Sequence, residues 1–197
     1  MSERLLRLNS MEIFGDPFPY FTAAEGLGNE VSSTLLDWLE SEAPWKLVET
    51  DFYEQYEFSL VGVALPPSVA FFTERPFLDD LRVKVEAVFG RRLSDHIDCT
   101  AHKLIEGQRI RVHNDRIPDG ETHRVLLQLN RGWHDAQGGY LMLFNSGEAS
   151  DVHRVFAPAN DSVLGFAISE KSHHAVSTIY GGERFTVVFS FYANDAE

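Results

Sequence analysis

Residues 161–192, DSVLGFAISEKSHHAVSTIYGGERFTVVFSFY, hold three runs rich in β-branched and aromatic residues, at 161–168, 173–179 and 184–192, with Gly181-Gly182 ahead of the last. Runs of this length bounded by turn residues read as strands. The same texture extends back toward the middle of the chain. Further strands are expected at 99–105, 109–114, 122–130, 139–145 and 152–156. Glu106-Gly107, Pro118-Asp119-Gly120, Gly138-Gly139, Asn145-Ser146-Gly147 and Pro158 punctuate them. Many short strands with turn signals between them predict a sandwich or jelly-roll barrel.

Upstream of residue 95 the pattern changes. Asn29 is placed to cap a helix whose Val31, Leu35, Leu36 and Leu39 recur at helical spacing, and which stops before Pro44. A second helix is expected through FLDDLRVKVEAVFG, with Leu78, Leu81, Val85 and Val88 on one face and Gly90 near its end. Between them DFYEQYEFSLVGVAL reads as one or two strands. The fold class expected is β-rich α+β: a double-stranded β-helix (jelly-roll) core with N-terminal helices packed on one sheet. All 197 residues are expected to form a single domain, with a helical and strand flank at 1–94 and the core at 95–192.

The bulk properties narrow the function. Seventeen basic and 30 acidic residues give a formal charge of −13, which repels phosphate backbones, so no nucleic-acid partner is expected. No apolar run approaches the ~18 residues of a membrane span, and none is expected. The opening MSERLLRLNS lacks the apolar region of a secretory signal, and the one cysteine, Cys99, allows no internal disulfide. Both fit a reducing cytoplasm.

Chemistry gathers at His113-Asn114-Asp115, at the close of a strand beginning near Arg109. Residues i and i+2 of a strand share a face, so this imidazole and carboxylate can share a cation. Two histidines and one carboxylate with the opposite positions open is the arrangement of iron(II) oxygen chemistry. The second histidine is sought in Ser172-His173-His174-Ala175-Val176, where only one of the adjacent pair can face inward. His96-Ile97-Asp98 has the same form, but stands at a strand entrance with no such partner. In the last strand Phe185, Val187, Phe189 and Phe191 share one face, and Arg184, Thr186, Val188 and Ser190 the other. An inward arginine at the head of a hydrophobic strand calls for an anion, and a planar guanidinium fits a carboxylate with two hydrogen bonds. Thr186 on the same face is placed to donate another.

The ordered set EGQRIRVHND, RVLLQLNRGW, GGYLMLF, VFAPANDSVLGFAISEKSHHAV and GGERFTVVFSFY resembles the catalytic core of 2-oxoglutarate/iron(II) oxygenases, in particular the prolyl 4-hydroxylase-like branch, from about Ala101 to Tyr192. The resemblance implies that His113, Asp115 and His174 are the iron ligands, His174 being chosen over His173 by its His-x-Val match and the ten-residue interval to Arg184. It implies that Arg184, with Thr186, binds the remote carboxylate of the cosubstrate 2-oxoglutarate, O2 being the other cosubstrate. The reaction implied is hydroxylation of an unactivated C–H bond of an amino acid, peptidyl residue or small metabolite, with succinate and CO2 as coproducts. The chain departs from the prolyl hydroxylase pattern at Lys103-Leu104, where a tyrosine is common, and at Gln128-Leu129-Asn130 in place of Tyr-Leu-Asn. Two other readings remain: a cupin-like metal enzyme that does not use 2-oxoglutarate, and a non-catalytic β-sandwich binding domain. Arg109, Arg111, Arg116, Trp133 and Tyr140 are the expected neighbours of a small-molecule or peptidyl substrate, and arginines at the mouth suit an anionic one.

Overall fold

The computed structural model describes residues 5–8 and 10–194. Residues 1–4, 9 and 195–197 of the expected domain lie outside the described residues. In chain order the elements are β1 (Glu12–Phe14), β2 (Tyr20–Ala23), α1 (Asn29–Ser41), β3 (Lys46–Glu49), β4 (Glu54–Ser59), α2 (Arg75–Phe89), β5 (Leu93–Leu104), β6 (Ile110–His113) and β7 (His123–Gln128). They continue with β8 (Leu141–Phe144), β9 (Val152–Phe156), β10 (Val163–Ala167), β11 (His174–Val176) and β12 (Arg184–Ala193). The strands form an eight-stranded sheet in the order β1-β2-β10-β7-β12-β5-β4-β3 and a four-stranded sheet in the order β6-β11-β8-β9.

All the strands read after residue 95 are present, and β12 has the two faces its alternation requires. Phe185, Val187, Phe189 and Phe191 enter one apolar cluster with Leu35 and Leu36 of α1 and Phe77, Leu81 and Val85 of α2. Each buried side chain of this size contributes roughly 1.5–3 kcal/mol. On the other face Val188, Leu126 and Leu164 meet Leu141, Leu143 and Val176 of the small sheet. The helices thus cover the outside of the large sheet, and the two sheets close on each other as a jelly roll.

Three local details differ from the sequence reading. The N-cap of α1 is Gly28 rather than Asn29, and the capping carboxylate comes from far away. Asp161 accepts from the backbone N–H groups of Leu27 at 2.8 Å and Gly28 at 2.7 Å. A carboxylate there also complements the positive end of the helix. The long β5 starts at Leu93, so His96 and Asp98 lie within it, 3.4 Å apart at Nε2 and Oδ1. Finally, β1, β2 and β3 widen the large sheet beyond the strands expected.

The turn between β3 and β4 has a second role. β6 is the outermost strand of the small sheet, with one edge left free by β11. Tyr53 forms a β-bridge to Ile110, and the Arg111 N–H donates to the Phe52 carbonyl at 3.0 Å. Residues 52–53 therefore cover an edge that would otherwise expose unpaired backbone groups.

Candidate active site

His113 and His174 meet because their strands put them opposite each other. β11 runs antiparallel to β6 with His174 in register with His113. Directly opposed residues of such a pair project to the same side, and here the ring centroids are 4.2 Å apart. Asp115 arrives differently from the expected strand alternation. β6 ends at His113, and Asp115 lies beyond it with φ 58, in the left-handed region that turns the chain sharply. Its carboxylate comes back between the imidazoles, Oδ1 3.1 Å from His113 Nε2 and Oδ2 3.1 Å from His174 Nε2. One ligand atom from each of the three residues lies within 4.8 Å of the others.

The two imidazoles are held in one tautomer. His113 Nδ1 is 2.8 Å from the Arg111 carbonyl, and His174 Nδ1 is 2.8 Å from the Ser172 carbonyl. A carbonyl only accepts, so each Nδ1 carries the proton and each Nε2 turns a lone pair inward. Burial lowers the His174 pKa against the pull of Asp115, which keeps this nitrogen available. Burial alone would raise the Asp115 carboxyl pKa; the two histidines beside it and then the Arg124 charge overcome this and hold it far below the usual carboxylate range, so it is an anion. Two neutral nitrogens and one anionic oxygen on one face of a partly enclosed space fit a ferrous ion. His173 is not among these three; its ring lies against Gly147.

The triad opens on a cavity of about 700 Å³ that also contains Arg184 and Thr186. Arg184 is 4% exposed, and among the described residues no carboxylate forms an ion pair with it. Its Nε donates to the Gly139 carbonyl at 2.9 Å and its Nη1 to Thr186 Oγ1 at 2.9 Å. Burial pulls its pKa down to about 10, so it remains a cation without a counter-charge. A planar guanidinium placed this way suits a carboxylate partner. Thr186 accepts from Arg184 and passes its own proton to Gln128 Oε1 at 3.0 Å, so its hydroxyl braces the guanidinium. The Gly138-Gly139 turn makes this possible: both residues have positive φ, 68° and 69°, and a Cβ on Gly139 would meet Arg184 Cδ at 3.1 Å.

Of the substrate neighbours read from the sequence, only Arg116 lines the cavity. Arg111 reaches back to the Asp51 carbonyl at 3.3 Å, Trp133 Nε1 donates to the Gly138 carbonyl at 2.9 Å, and Tyr140 Oη to the Asp135 carbonyl at 3.4 Å. The sequence reading missed Arg124. Its Nη1 donates to Asp115 Oδ2 at 2.7 Å, its Nε to Glu121 Oε2 at 2.9 Å, and its Nη2 to Glu121 Oε1. An arginine in the run HRVLLQ announces no partner by its spacing; the one clue is a charge on the same inward face of a strand as Leu126 and Gln128. Glu57, Gln55 and His102, from β4 and β5, complete the cavity wall.

Residues 99–191 match the family model for the 2OG-Fe(II) oxygenase superfamily. No curated protein sequence matches the chain. Solved structures share its fold at low identity. A prolyl-4-hydroxylase from Pseudomonas putida superposes with a TM-score of 0.72 at 22% identity, over 89% of this chain and 92% of that one. A prolyl hydroxylase from Trichoplax adhaerens, solved with a hypoxia inducible factor oxygen degradation domain peptide fragment, gives 0.67 at 16% identity, over 88% and 83%. The viral collagen prolyl hydroxylase of Paramecium Bursaria Chlorella virus-1, solved with 2OG, gives 0.63 at 12% identity, over 88% and 96%. Among the described residues no helix is long and apolar enough to cross a membrane. Residues 99–191 thus carry a 2OG-Fe(II) oxygenase domain, the core of a 2-oxoglutarate-dependent dioxygenase that uses Fe(II) and O2, in a chain of prolyl 4-hydroxylase-like fold.

Proposed function

We propose that His113, Asp115 and His174 hold the ferrous ion, that Arg184 braced by Thr186 binds the remote carboxylate of 2-oxoglutarate, and that the enzyme hydroxylates an amino acid, a peptidyl residue or a small metabolite. The observation that carries this reading is the pairing, in one cavity, of a three-ligand face with a buried cation that has no counter-charge. When bound, iron, 2-oxoglutarate and O2 supply the oxidising power for C–H hydroxylation, with succinate and CO2 as coproducts. The protein's part is positional. The backbone carbonyls of Arg111 and Ser172 fix the imidazoles, and Arg124 fixes the carboxylate. Leu126, Leu141, Val176 and Val188 give the cosubstrate an apolar sleeve that strengthens its bond to Arg184. The Phe52 ring packs at a tilt against His113, with centroids 4.7 Å apart, and helps to fix that imidazole. A cytoplasmic setting remains our reading, on the single buried Cys99.

The test is anaerobic addition of Fe(II) and then 2-oxoglutarate, which should give a weak visible charge-transfer band. Asp115→Ala should abolish both the band and succinate formation; succinate persisting in that variant would refute the ligand set. Arg184→Ala should raise the 2-oxoglutarate requirement by at least about tenfold, as for a lost charged hydrogen bond of about 1.5–3 kcal/mol, while Fe(II) binding is retained.

A further inference from the structure

The charges around the cavity balance in pairs, with two exceptions. Asp115 faces the two imidazoles and Arg124, and Glu121 is held by Arg124. Arg116 stands half-exposed, 3.9 Å from Glu170. Arg184 is the first exception and Glu57 is the second. Glu57 Oε2 accepts from Gln55 Nε2 at 2.7 Å, which carries no charge, and lies 3.9 Å from His102 Nε2. Burial, and then the charges of Arg124 and Arg184, lower the His102 pKa to about 3, so this ring is neutral at pH 7. Lys46 is in register with Glu57 across β3 and β4, yet it is exposed and makes no ion pair with it. Among the described residues no Lys or Arg forms an ion pair with Glu57.

Gln55 points the same way. It is 2% exposed and lines the same cavity. Its orientation is dictated, because a carboxylate at 2.7 Å needs the NH2 and not the carbonyl. The amide oxygen is therefore the free end, and this Oε1 is buried with no donor. Two acceptors, one of them charged, stand in one cavity wall without enough donors.

We propose that this wall of β4 recognises a cationic nitrogen of the substrate, an ammonium or guanidinium, through the Glu57 carboxylate and the Gln55 amide oxygen. The proposal rests on the metal and cosubstrate assignment above and names the substrate class of that site. A cationic nitrogen offers several N–H donors and the missing positive charge. An anion would be repelled by Glu57, and an apolar group would leave the Gln55 amide oxygen without a donor and Glu57 without a counter-charge. The wall is near enough to the metal side to act on a substrate there. Tyr53, Glu57, Arg124 and Asp115 all line this one cavity, so the wall and the metal side share a space. The aromatic residues Phe52 and Tyr53 border the same space, and aromatic rings attract cations. The net charge of −13 draws cations toward the molecule. Of the arginines expected at the mouth, Arg109 and Arg111 lie outside the cavity and Arg116 alone lines it.

The experiment uses the full chain, anaerobic and loaded with Fe(II) and 2-oxoglutarate, and measures binding by calorimetry. The probes are Nα-acetyl-L-lysine amide and Nα-acetyl-L-arginine amide for a side-chain cation, and L-norleucine amide for an α-ammonium. Nα-acetyl-L-norleucine amide and Nα-acetyl-L-glutamate amide are the uncharged and anionic controls. At least one cationic probe should bind ten or more times tighter than both controls, and which one does so identifies the source of the nitrogen. Glu57→Gln should remove that preference and leave Fe(II) and 2-oxoglutarate affinities within twofold. Gln55→Met should weaken the same probe less, and thermal melts check that both variants fold. Equal or tighter binding of a control, absence of cation binding, or an unchanged preference in Glu57→Gln overturns the proposal. So does a loss in Glu57→Gln that falls on 2-oxoglutarate, because it would assign Glu57 to the cosubstrate. Failure of the wild-type chain to bind Fe(II) and 2-oxoglutarate, measured first, would instead sink the underlying assignment.

Discussion

Arg124 is the side chain whose effect reaches furthest from its own position. Its guanidinium takes one oxygen of Asp115 and both oxygens of Glu121, so a partly buried cation lies between a candidate metal ligand and a second carboxylate. Burial would lower its pKa, but Asp115 and Glu121 raise it instead, and it stays charged. Groups that orient a ligand from behind typically account for 10–100-fold in metal affinity. Arg124→Gln should therefore weaken Fe(II) binding by about that factor, measured anaerobically on folded protein, and Arg124→Lys should restore part of it. Unchanged affinity would mean that the 2.7 Å contact to Asp115 does not orient it. The three ligand positions were legible in the sequence because a His-x-Asp strand end and a distant histidine form an ordered pattern. Arg124 was not, because Asp115 is reached only around a turn, and Glu57 was not, because the cavity it lines is assembled from several distant strands.

At the scale of elements, the Gly138-Gly139 turn before β8 and the first residue of β12 form one unit. Gly139 gives its carbonyl to Arg184 and leaves space beside Arg184 Cδ, Ile179 and Trp133. Gly139→Ala would place a Cβ 2.7 Å from Ile179 Cδ1 at a φ of 69°, a strain of roughly 1–3 kcal/mol. We expect a lower melting temperature and a several-fold higher 2-oxoglutarate KM, with Fe(II) affinity unchanged; a normal KM would separate this turn from the clamp. The long strands were readable because alternation and turn residues are local signals. β1 and β3 were not: Glu-Ile-Phe and Lys-Leu-Val-Glu are short edge strands with no clean alternation. The cap of α1 was misread for a similar reason, since its carboxylate, Asp161, lies 134 residues from Leu27.

Across the whole molecule, two histidines inside the large sheet set the response to acid. Burial lowers His123 to about 4, with Arg91 adding to it, and burial, Arg124 and Arg184 lower His102 to about 3. Both are neutral when folded, whereas an unfolded histidine gains its proton near pH 6.5. The unfolded chain then binds more protons, so stability is intact above about pH 6.5 and falls as pH drops toward those lower values. Between pH 7.5 and 5.0 each should cost on the order of 2 kcal/mol, read from urea midpoints, and His123→Gln should flatten the slope. A midpoint independent of pH over that range would contradict the neutral buried rings. The β3–β4 turn ties both halves of the chain to the catalytic machinery. Because Phe52 and Tyr53 are at once a rim of the cavity and the hem of the strand bearing His113, a guest that pushes on them also tugs a candidate iron ligand, so occupancy and ligand geometry become mechanically linked.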